Sequence, residues 1–201
     1  MALEAEAAGD VVADAAALAE SVTAIFTACD SQPEEARAIA ENLVAANLAG
    51  HDSHGVGMVP LYVRNVGRGA VYANQHVGVL KDDGPVLQLD GNLGYGQVIG
   101  AEAMDLAIAK ANESGVAIVA LRNTHHLGRI GAWGEQCAEA GLVSIHYVNI
   151  NGHKPLVAPF GGAEGRYATN PYCTALPGTD TQPPVVLDMA TSKIAVGKVR
   201  V

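Results

Sequence analysis

Two apolar stripes with the spacing of a helix run along the first fifty residues of the chain. One covers residues 18–29 and the other residues 39–44. Residues 31–34 between them read Ser-Gln-Pro-Glu, the S-x-x-E form of a capping box, with a proline that a first helical turn tolerates. Gly50 is placed to end the second helix. The pattern predicts an N-terminal helical hairpin whose second helix is capped by Ser31.

Near residue 76 the pattern changes, and short apolar strands begin to alternate with helices. Strands are predicted at residues 77–80, 86–90, 115–121, 142–150 and 185–188, and helices at residues 97–113 and 130–140. The runs 115–121 and 185–188 are continuously apolar, so we expect both to be buried strands. The alternation predicts an α/β fold, with residues 1–75 as a helical segment and residues 76–201 as the α/β region.

The composition excludes several classes of protein. Since 49% of the residues are hydrophobic and 16% are charged, the chain is expected to fold rather than to be disordered. The formal net charge of −9 argues against a nucleic-acid partner, because a phosphate backbone attracts an excess of positive charge. The three cysteines lie far apart, so neither a disulfide framework nor a CxxC metal pair can be drawn.

The ends of the chain carry no targeting signal that we can identify. The N-terminus lacks a basic start, and no apolar run approaches the ~20 residues of a membrane span. We therefore expect a soluble, cytoplasmic protein with no membrane partner. The chain stops at Val201 on an apolar stretch without a closing element, so we expect it to be truncated at the C-terminus.

The first candidate for chemistry is the segment His51-Asp52-Ser53-His54-Gly55, which follows the predicted hairpin. An imidazole beside a hydroxyl at a glycine-flanked turn suits proton transfer, because histidine titrates near neutral pH. Alternatively, these polar residues only cap the next helix.

A second candidate is the segment 123–131, which leaves the strand 115–121 and enters a helix. Backbone N–H groups in this position can receive a phosphate, with Gly128 to Ile130 as the place where we expect it. Alternatively, the segment is a solvated loop in which one of its two histidines is hydrogen-bonded to the backbone.

Residues 94–100 resemble a dinucleotide fingerprint but read G-x-G-x-x-x-G, one residue too long. The next predicted strand is followed by Arg122 rather than by an acidic residue that could bind the ribose. We interpret this segment as a structural turn.

Two further segments suggest a ligand only in combination with others. Gly161-Gly162 and then Thr169-Asn170-Pro171 indicate a tight backbone path with side-chain donors. Asp188 ends a strand and Lys198 follows ten residues later, where a lysine could hold an acidic substrate or lie solvated at the surface.

In this order, the motifs resemble the malate/L-lactate dehydrogenase family of the second, non-Rossmann type, with its hydroxycarboxylate dehydrogenases. The residues that carry the resemblance are the segments 50–55, 90–97, 123–128, 158–162, 169–171 and 188–198. The resemblance implies a mixed-sheet α/β fold distinct from the Rossmann fold. It also implies a homodimeric oxidoreductase that transfers a hydride between NAD or NADP and a small 2-oxo or 2-hydroxy carboxylic acid of the malate, lactate or hydroxyphenylpyruvate type.

The roles of individual residues follow from the resemblance alone. It implies that His54 is the acid/base, that Ser53 is its hydrogen-bonded partner, and that no metal takes part. The implied cofactor contacts are His126, Gly128, Arg129 and Ile130 in one loop and Val186, Leu187, Asp188, Met189 and Ala190 along one strand. The implied substrate contacts are Thr169 and Lys198.

In one position the sequence departs from the family. Many members have an arginine four residues after the acid/base histidine, where it pairs with the substrate carboxylate, but this chain has Met58. Lys198 is then a candidate to bind the carboxylate.

Two other hypotheses stay open from the residues: a metal-dependent hydrolase using His51, His54, His125 and His126, and an inactive truncated fragment.

Overall fold

The computed structural model describes residues 12–152 and 154–194. Within these ranges it has five α-helices, six strands and two short 3₁₀ turns, Asp52–His54 and Val56–Met58. The helices and strands are α1 (Ala15–Thr27), α2 (Pro33–Leu48), α3 (Val59–Gly67), β1 (Gly78–Asp83), β2 (Val86–Asp90), α4 (Gly96–Ser114), β3 (Ile118–Arg122), α5 (Gly131–Glu139), β4 (Ser144–Tyr147), β5 (Pro171–Leu176) and β6 (Val185–Ala190).

The predicted helical hairpin is present, and its apolar stripes meet in the largest buried cluster of the described residues. Phe26 of α1 and Tyr62 of α3 are fully buried there. The cluster also contains Tyr95, which lies just before α4 and beyond the predicted boundary at residue 75. Aromatic rings from three elements therefore tie the N-terminal helices to the first residues of α4.

The predicted capping box is wrong. Helix α2 begins at Pro33 with Gln32 as its N-cap, and no side chain of the cap residue makes a capping hydrogen bond. Asn74, far along the chain, accepts from the Gln32 N–H through Oδ1 at 2.7 Å. Glu35 in turn accepts from the Asn74 N–H, through both carboxylate oxygens at 2.9 Å. A tertiary contact thus replaces the local cap that the sequence pattern suggests.

The first sheet has the order β1-β2-β3, with β2 antiparallel to β1 and parallel to β3. Helix α4 connects β2 to β3, and its Ala103 packs with Leu87 and Leu89 of β2. The side chains of β3 are alternately exposed, and Ile118 is 60% exposed. The prediction that residues 115–121 form a strand covered on both faces is therefore wrong, because one face is open in the part of the chain that the structure describes.

The second sheet has the order β4-β5-β6 and is antiparallel throughout. Helix α5 covers one face, where Trp133 and Ile130 pack with Cys173. Strand β6 is where the sequence predicts a strand, but Leu187 is 51% exposed, so the prediction of complete burial is wrong. A sheet with helices on one face buries only every second side chain.

Two separate three-stranded sheets replace the single parallel sheet of a Rossmann fold, as the non-Rossmann fold class predicts. Cys29, Cys137 and Cys173 are free thiols. None of the helices among the described residues is both long and apolar enough to cross a membrane.

The glycines of the segment 94–100 have packing tasks. A Cβ on Gly96 would lie 2.2 Å from the carbonyl oxygen of His126, and one on Gly100 would lie 2.7 Å from the ring of Trp133. These glycines let α4 approach the loop before α5 and α5 itself. Residues 96–100 are the first residues of α4 rather than a turn, and the purely structural role of this segment stays a prediction.

Candidate active site

A cavity of about 80 Å³ lies where four segments of the chain converge: the loop after α2, the loop before α5, the start of β5 with Thr169 before it, and the end of β6. Nine of the residues predicted from the sequence line it: Ser53, His54, Gly128, Arg129, Ile130, Thr169, Asp188, Met189 and Ala190. His51 and Pro171 also line it. The fold therefore brings together residues that are far apart in the chain.

The loop that carries His54 is held from behind by Asn47, in the last turn of α2. The Asn47 amide donates to Asp52 Oδ1 at 2.5 Å and accepts from the Val56 N–H at 2.8 Å, so it ties both sides of the loop. Gly55 is required by this packing, because a Cβ there would lie 2.1 Å from Asn47 Oδ1. The sequence reasoning missed Asn47, whose position in a helix gives no local signal of this role.

Ser53 and His54 form a hydrogen-bonded pair beside the cavity. The Ser53 hydroxyl lies 2.9 Å from His54 Nδ1, and both residues are half-buried. This contact engages one ring nitrogen and restricts rotation of the imidazole. The alternative in which these residues act only as a cap loses support, since the N-cap residues of the two 3₁₀ turns and of α3 make no side-chain capping hydrogen bond.

His126 lies behind His54 rather than in the cavity wall. The two rings are stacked, with centroids 5.5 Å apart and planes 19° from parallel. His126 Nδ1 lies 2.6 Å from the Tyr62 hydroxyl. Desolvation by burial, together with the charges of His54 and His125, lowers the pKa of His126 to about 3. His126 is therefore a neutral imidazole at physiological pH.

His125 points to the other side of the loop, as adjacent residues in an extended segment do. Its Nε2 lies 2.9 Å from the Asn65 amide nitrogen, and burial lowers its pKa to about 4. No three histidine, cysteine, aspartate or glutamate side chains within residues 12–152 and 154–194 are grouped to hold a metal ion. The structure therefore gives no support to the metal-dependent hydrolase.

The first amides of α5, which follow the phosphate site predicted at Gly128 to Ile130, are engaged within the protein. The Gly131 N–H donates to Asp188 Oδ2 at 2.7 Å. The next two amides, of Ala132 and Trp133, donate to the carbonyl oxygens of Arg129 and Ile130. A carboxylate already caps this end of the helix, so a phosphate bound directly at the start of α5 would meet a negative charge, and the site at Gly128 to Ile130 stays a prediction.

The remaining predicted residues lie away from the cavity or outside the described ranges. Val186 packs against the cluster formed with α5, and Leu187 points to the opposite, exposed face of β6. Met58 packs against the N-terminal cluster, so this position adds no polar group to the cavity. Lys198 lies outside the described residues.

Arg129 lines the cavity but is paired within the protein. Its guanidinium donates to Glu135 through Nη1 at 2.8 Å and Nη2 at 2.5 Å. The hydrogen bonds to Glu135 raise the pKa of Arg129, even though desolvation lowers it. The positive charge at this wall is therefore largely balanced before any ligand binds.

Comparison with known proteins agrees with this architecture. The profile of the malate/L-lactate dehydrogenase family matches residues 13–201. Over 188 residues the chain is 50% identical to hydroxycarboxylate dehydrogenase B of Escherichia coli K12, covering 94% of this chain and 52% of that protein. It is 40% identical over 163 residues to L-lactate dehydrogenase of Cupriavidus necator, covering 81% of this chain and 47% of that one.

Solved structures give the same result. A putative malate/lactate dehydrogenase from E. coli superimposes with a TM-score of 0.87 at 49% identity, over 93% of this chain and 52% of that chain. Malate dehydrogenase from Pyrococcus horikoshii superimposes with a TM-score of 0.87 at 36% identity, over 94% and 53%. The chain spans about half the length of the curated relatives it matches. By sequence and by fold, it belongs to the malate/L-lactate dehydrogenase family.

Proposed function

We propose that this chain forms the acid/base half of an oxidoreductase that transfers a hydride between NAD or NADP and a 2-oxo or 2-hydroxy carboxylic acid. The substrate classes are those of the malate, lactate or hydroxyphenylpyruvate type. The observation that carries the proposal is the Ser53–His54 pair at the wall of the cavity formed by four distant segments. The family supports an oxidoreductase in general, and its relatives include enzymes named for malate and for lactate.

His54 would move the proton of the reacting oxygen. In the direction of oxidation, neutral His54 accepts the hydroxyl proton of the substrate, and in the direction of reduction, protonated His54 returns a proton to the oxygen. The contact with Ser53 engages Nδ1, so the exchange takes place through Nε2. A bound nicotinamide supplies or takes up the hydride.

The cavity suits the reactive end of such a cofactor better than the whole of it. Ile130, Met189 and Ala190 give it an apolar wall close to His54, as a flat, water-excluded ring would need. Its volume of about 80 Å³ is well below the ~300 Å³ of a typical ligand site. The rest of a dinucleotide would have to lie beyond this cavity, and the capped start of α5 is not proposed as its phosphate site.

Groups other than the arginine found in many family members would bind the substrate carboxylate. We propose Thr169, which lines the cavity, and Lys198 as its contacts. His51 also lines the cavity, with its ring centroid 6.4 Å from that of His54, and adds a second imidazole to a wall where Met58 provides nothing.

We further propose a homodimer, as the family resemblance implies. The outer face of the second sheet supports a protein partner, because apolar side chains of β4 and β6 are exposed there. Those more than half exposed are Ile145, Tyr147, Val185 and Leu187. Exposed apolar surface of this kind marks interaction sites.

The proposal is tested with an extended version, in which this chain is joined to the C-terminal part of E. coli hydroxycarboxylate dehydrogenase B. Nicotinamide absorbance is followed with NADH and with NADPH against a panel of 2-oxo acids. We expect oxidation of one reduced cofactor by at least one acid of the panel. A folded extended version that oxidises neither cofactor with any acid would contradict the proposed function.

A further inference from the structure

A buried tyrosine hydroxyl joins the two sides of the loop that holds His126. The Tyr62 oxygen lies 2.6 Å from His126 Nδ1 and 3.0 Å from Gln97 Nε2. Tyr62 is fully buried and Gln97 is 2% exposed. Three side chains from α3, from α4 and from the loop before α5 thus form a hydrogen-bonded chain in the interior.

The donors and acceptors in this chain fix the position of each proton. With the amide of Gln97 oriented as in the structure, Nε2 can only donate, so the Tyr62 oxygen accepts from it. Burial raises the pKa of Tyr62, so its hydroxyl keeps its single proton. That proton has His126 Nδ1 as its acceptor. Nδ1 therefore carries no hydrogen, and the proton of the neutral His126 ring is on Nε2.

The orientation of this ring matters because His54 lies flat against it. At a separation of 5.5 Å, a positive charge on His126 would oppose a positive charge on His54. The charged and titratable groups closest to His126 are His54 and His125, together with the phenol of Tyr62.

We propose that Tyr62 and Gln97 are positioning residues, which hold His126 as the neutral Nε2–H tautomer with its ring against His54. A neutral His126 lets His54 carry a proton without a second cation beside it. The hydrogen bonds of Tyr62 and the burial of its hydroxyl determine this tautomer. Its catalytic meaning rests on the proposed function.

The first test reads the tautomer directly in the 201-residue chain, by long-range ¹⁵N–¹H correlation of the histidine rings at neutral pH. We expect His126 to show a hydrogen-bearing Nε2 and a bare Nδ1. A bare Nε2 would mean that the Gln97 amide is reversed and Tyr62 donates to it, and this would overturn the assignment. An averaged or protonated ring would overturn it as well.

The second test removes one hydroxyl at a time. Tyr62→Phe should shift the His126 ring signals toward an average of the two tautomers. Tyr95→Phe is the matched control, because Tyr95 is a fully buried tyrosine of the same cluster, with its ring 6.3 Å from that of Tyr62. If both variants change the His126 signals equally, or if Tyr62→Phe leaves them unchanged, Tyr62 does not set the tautomer.

The third test measures the consequence for catalysis in the extended version. Tyr62→Phe should lower kcat by about 10- to 100-fold, the range seen when an outer-shell partner of a metal-bound histidine is removed. KM for the cofactor should stay unchanged and the pH profile of kcat should move, whereas Tyr95→Phe should change neither. An unchanged kcat and profile in an active extended version would refute the positioning role. If the parent version has no activity while the tautomer is as expected, only the proposed function fails.

Discussion

The two regions that meet at the cavity differ in how completely they are packed. Behind His54, the aromatic rings of Phe26, Tyr62 and Tyr95 are fully buried, and Tyr62 holds His126 by a hydrogen bond. On the other side, strand β6 presents Asp188 toward α5 but leaves Leu187 exposed. The His54 side is thus organised within this chain, while the sheet that forms the other wall has one face that the described residues leave uncovered.

This difference explains why the residues near His54 have stronger structural constraints than those of β6. An imidazole that exchanges protons must be held at one orientation. Ser53 holds the His54 ring by a hydrogen bond, and Asn47 holds the loop that carries it. A wall for a flat apolar ligand needs only a surface of suitable shape. We therefore expect substitutions in the first region to have larger effects on folding than those on the open face of the second sheet.

The largest expected loss of stability is for Phe26→Ala. Phe26 is fully buried, with its ring 5.5 Å from that of Tyr95, so truncation leaves a cavity in the cluster behind His54. We expect a loss of about 3–5 kcal/mol in the free energy of unfolding, measured by urea denaturation. Leu48→Ala, at a side chain that is 75% exposed, should change it by no more than about 0.5 kcal/mol. Equal effects would contradict the contrast in packing.

Acid should lower the stability of the first region through its two half-buried imidazoles, His125 and His126. Burial lowers the pKa of His126 to about 3 and that of His125 to about 4, below the ~6.5 of an unfolded chain. As pH falls below ~6.5, these histidines take up protons in the unfolded chain but not yet in the folded chain. The folded state therefore loses stability until the pH reaches the folded-state pKa values of the two histidines. Tm should therefore decrease from about pH 6.5 toward pH 4, and His126→Gln should make that decrease less steep. If Tm of the variant decreases with pH as steeply as that of the parent, His126 is not the group responsible.

The hydrogen bond between Asp188 of β6 and the start of α5 is expected to contribute a smaller amount to the free energy of unfolding. Asp188→Ala removes the acceptor of the Gly131 N–H at the start of α5, and loss of such a cap costs about 1 kcal/mol. Asp180→Ala, at an exposed turn, is the control and should have little effect. Thermal unfolding of both variants measures the difference, and no destabilisation by Asp188→Ala would show that the cap is not stabilising.

The smallest effect on folding is expected on the open face of β6. Leu187→Thr should change the free energy of unfolding by no more than about 0.5 kcal/mol, because the side chain is 51% exposed. It should also reduce self-association in size-exclusion chromatography with light scattering, since it removes apolar surface. Val186→Thr, on the covered face of the same strand, should destabilise the fold instead. Unchanged association of Leu187→Thr would show that this face is not the contact.

The sequence predicts helices and strands well where the apolar pattern is long. It predicts helix caps and strand burial less well, because tertiary contacts determine them. The predicted helix at residues 97–113 is α4 with one residue added at each end, and the strand at residues 86–90 is found unchanged. The predicted cap of α2 is wrong because Asn74, distant in sequence, supplies the acceptor for the Gln32 N–H. Burial of residues 115–121 is wrong because an apolar run does not show how many faces are covered.

Most residues of the candidate site are found through motifs, and the others require coordinates. Nine of the predicted residues line one cavity because their motifs lie in loops and strand ends that the fold brings together. Asn47 and Tyr62 lie within helices, where their sequence context matches that of any packed helix. Their contacts with the His54 loop and with His126 depend on three-dimensional packing, so sequence spacing could not indicate them.

The central claim is that His54 exchanges the proton of the reacting oxygen, and its most direct test is the turnover of His54→Gln in the extended version. The account predicts that kcat falls by about 10²- to 10⁴-fold, while the Kd of the nicotinamide cofactor stays close to that of the parent. His146→Gln is the matched control, because this half-buried imidazole bonds to Ser144 outside the cavity, and it should keep the parent's kcat. A His54→Gln variant that turns over at the rate of the parent would contradict the account.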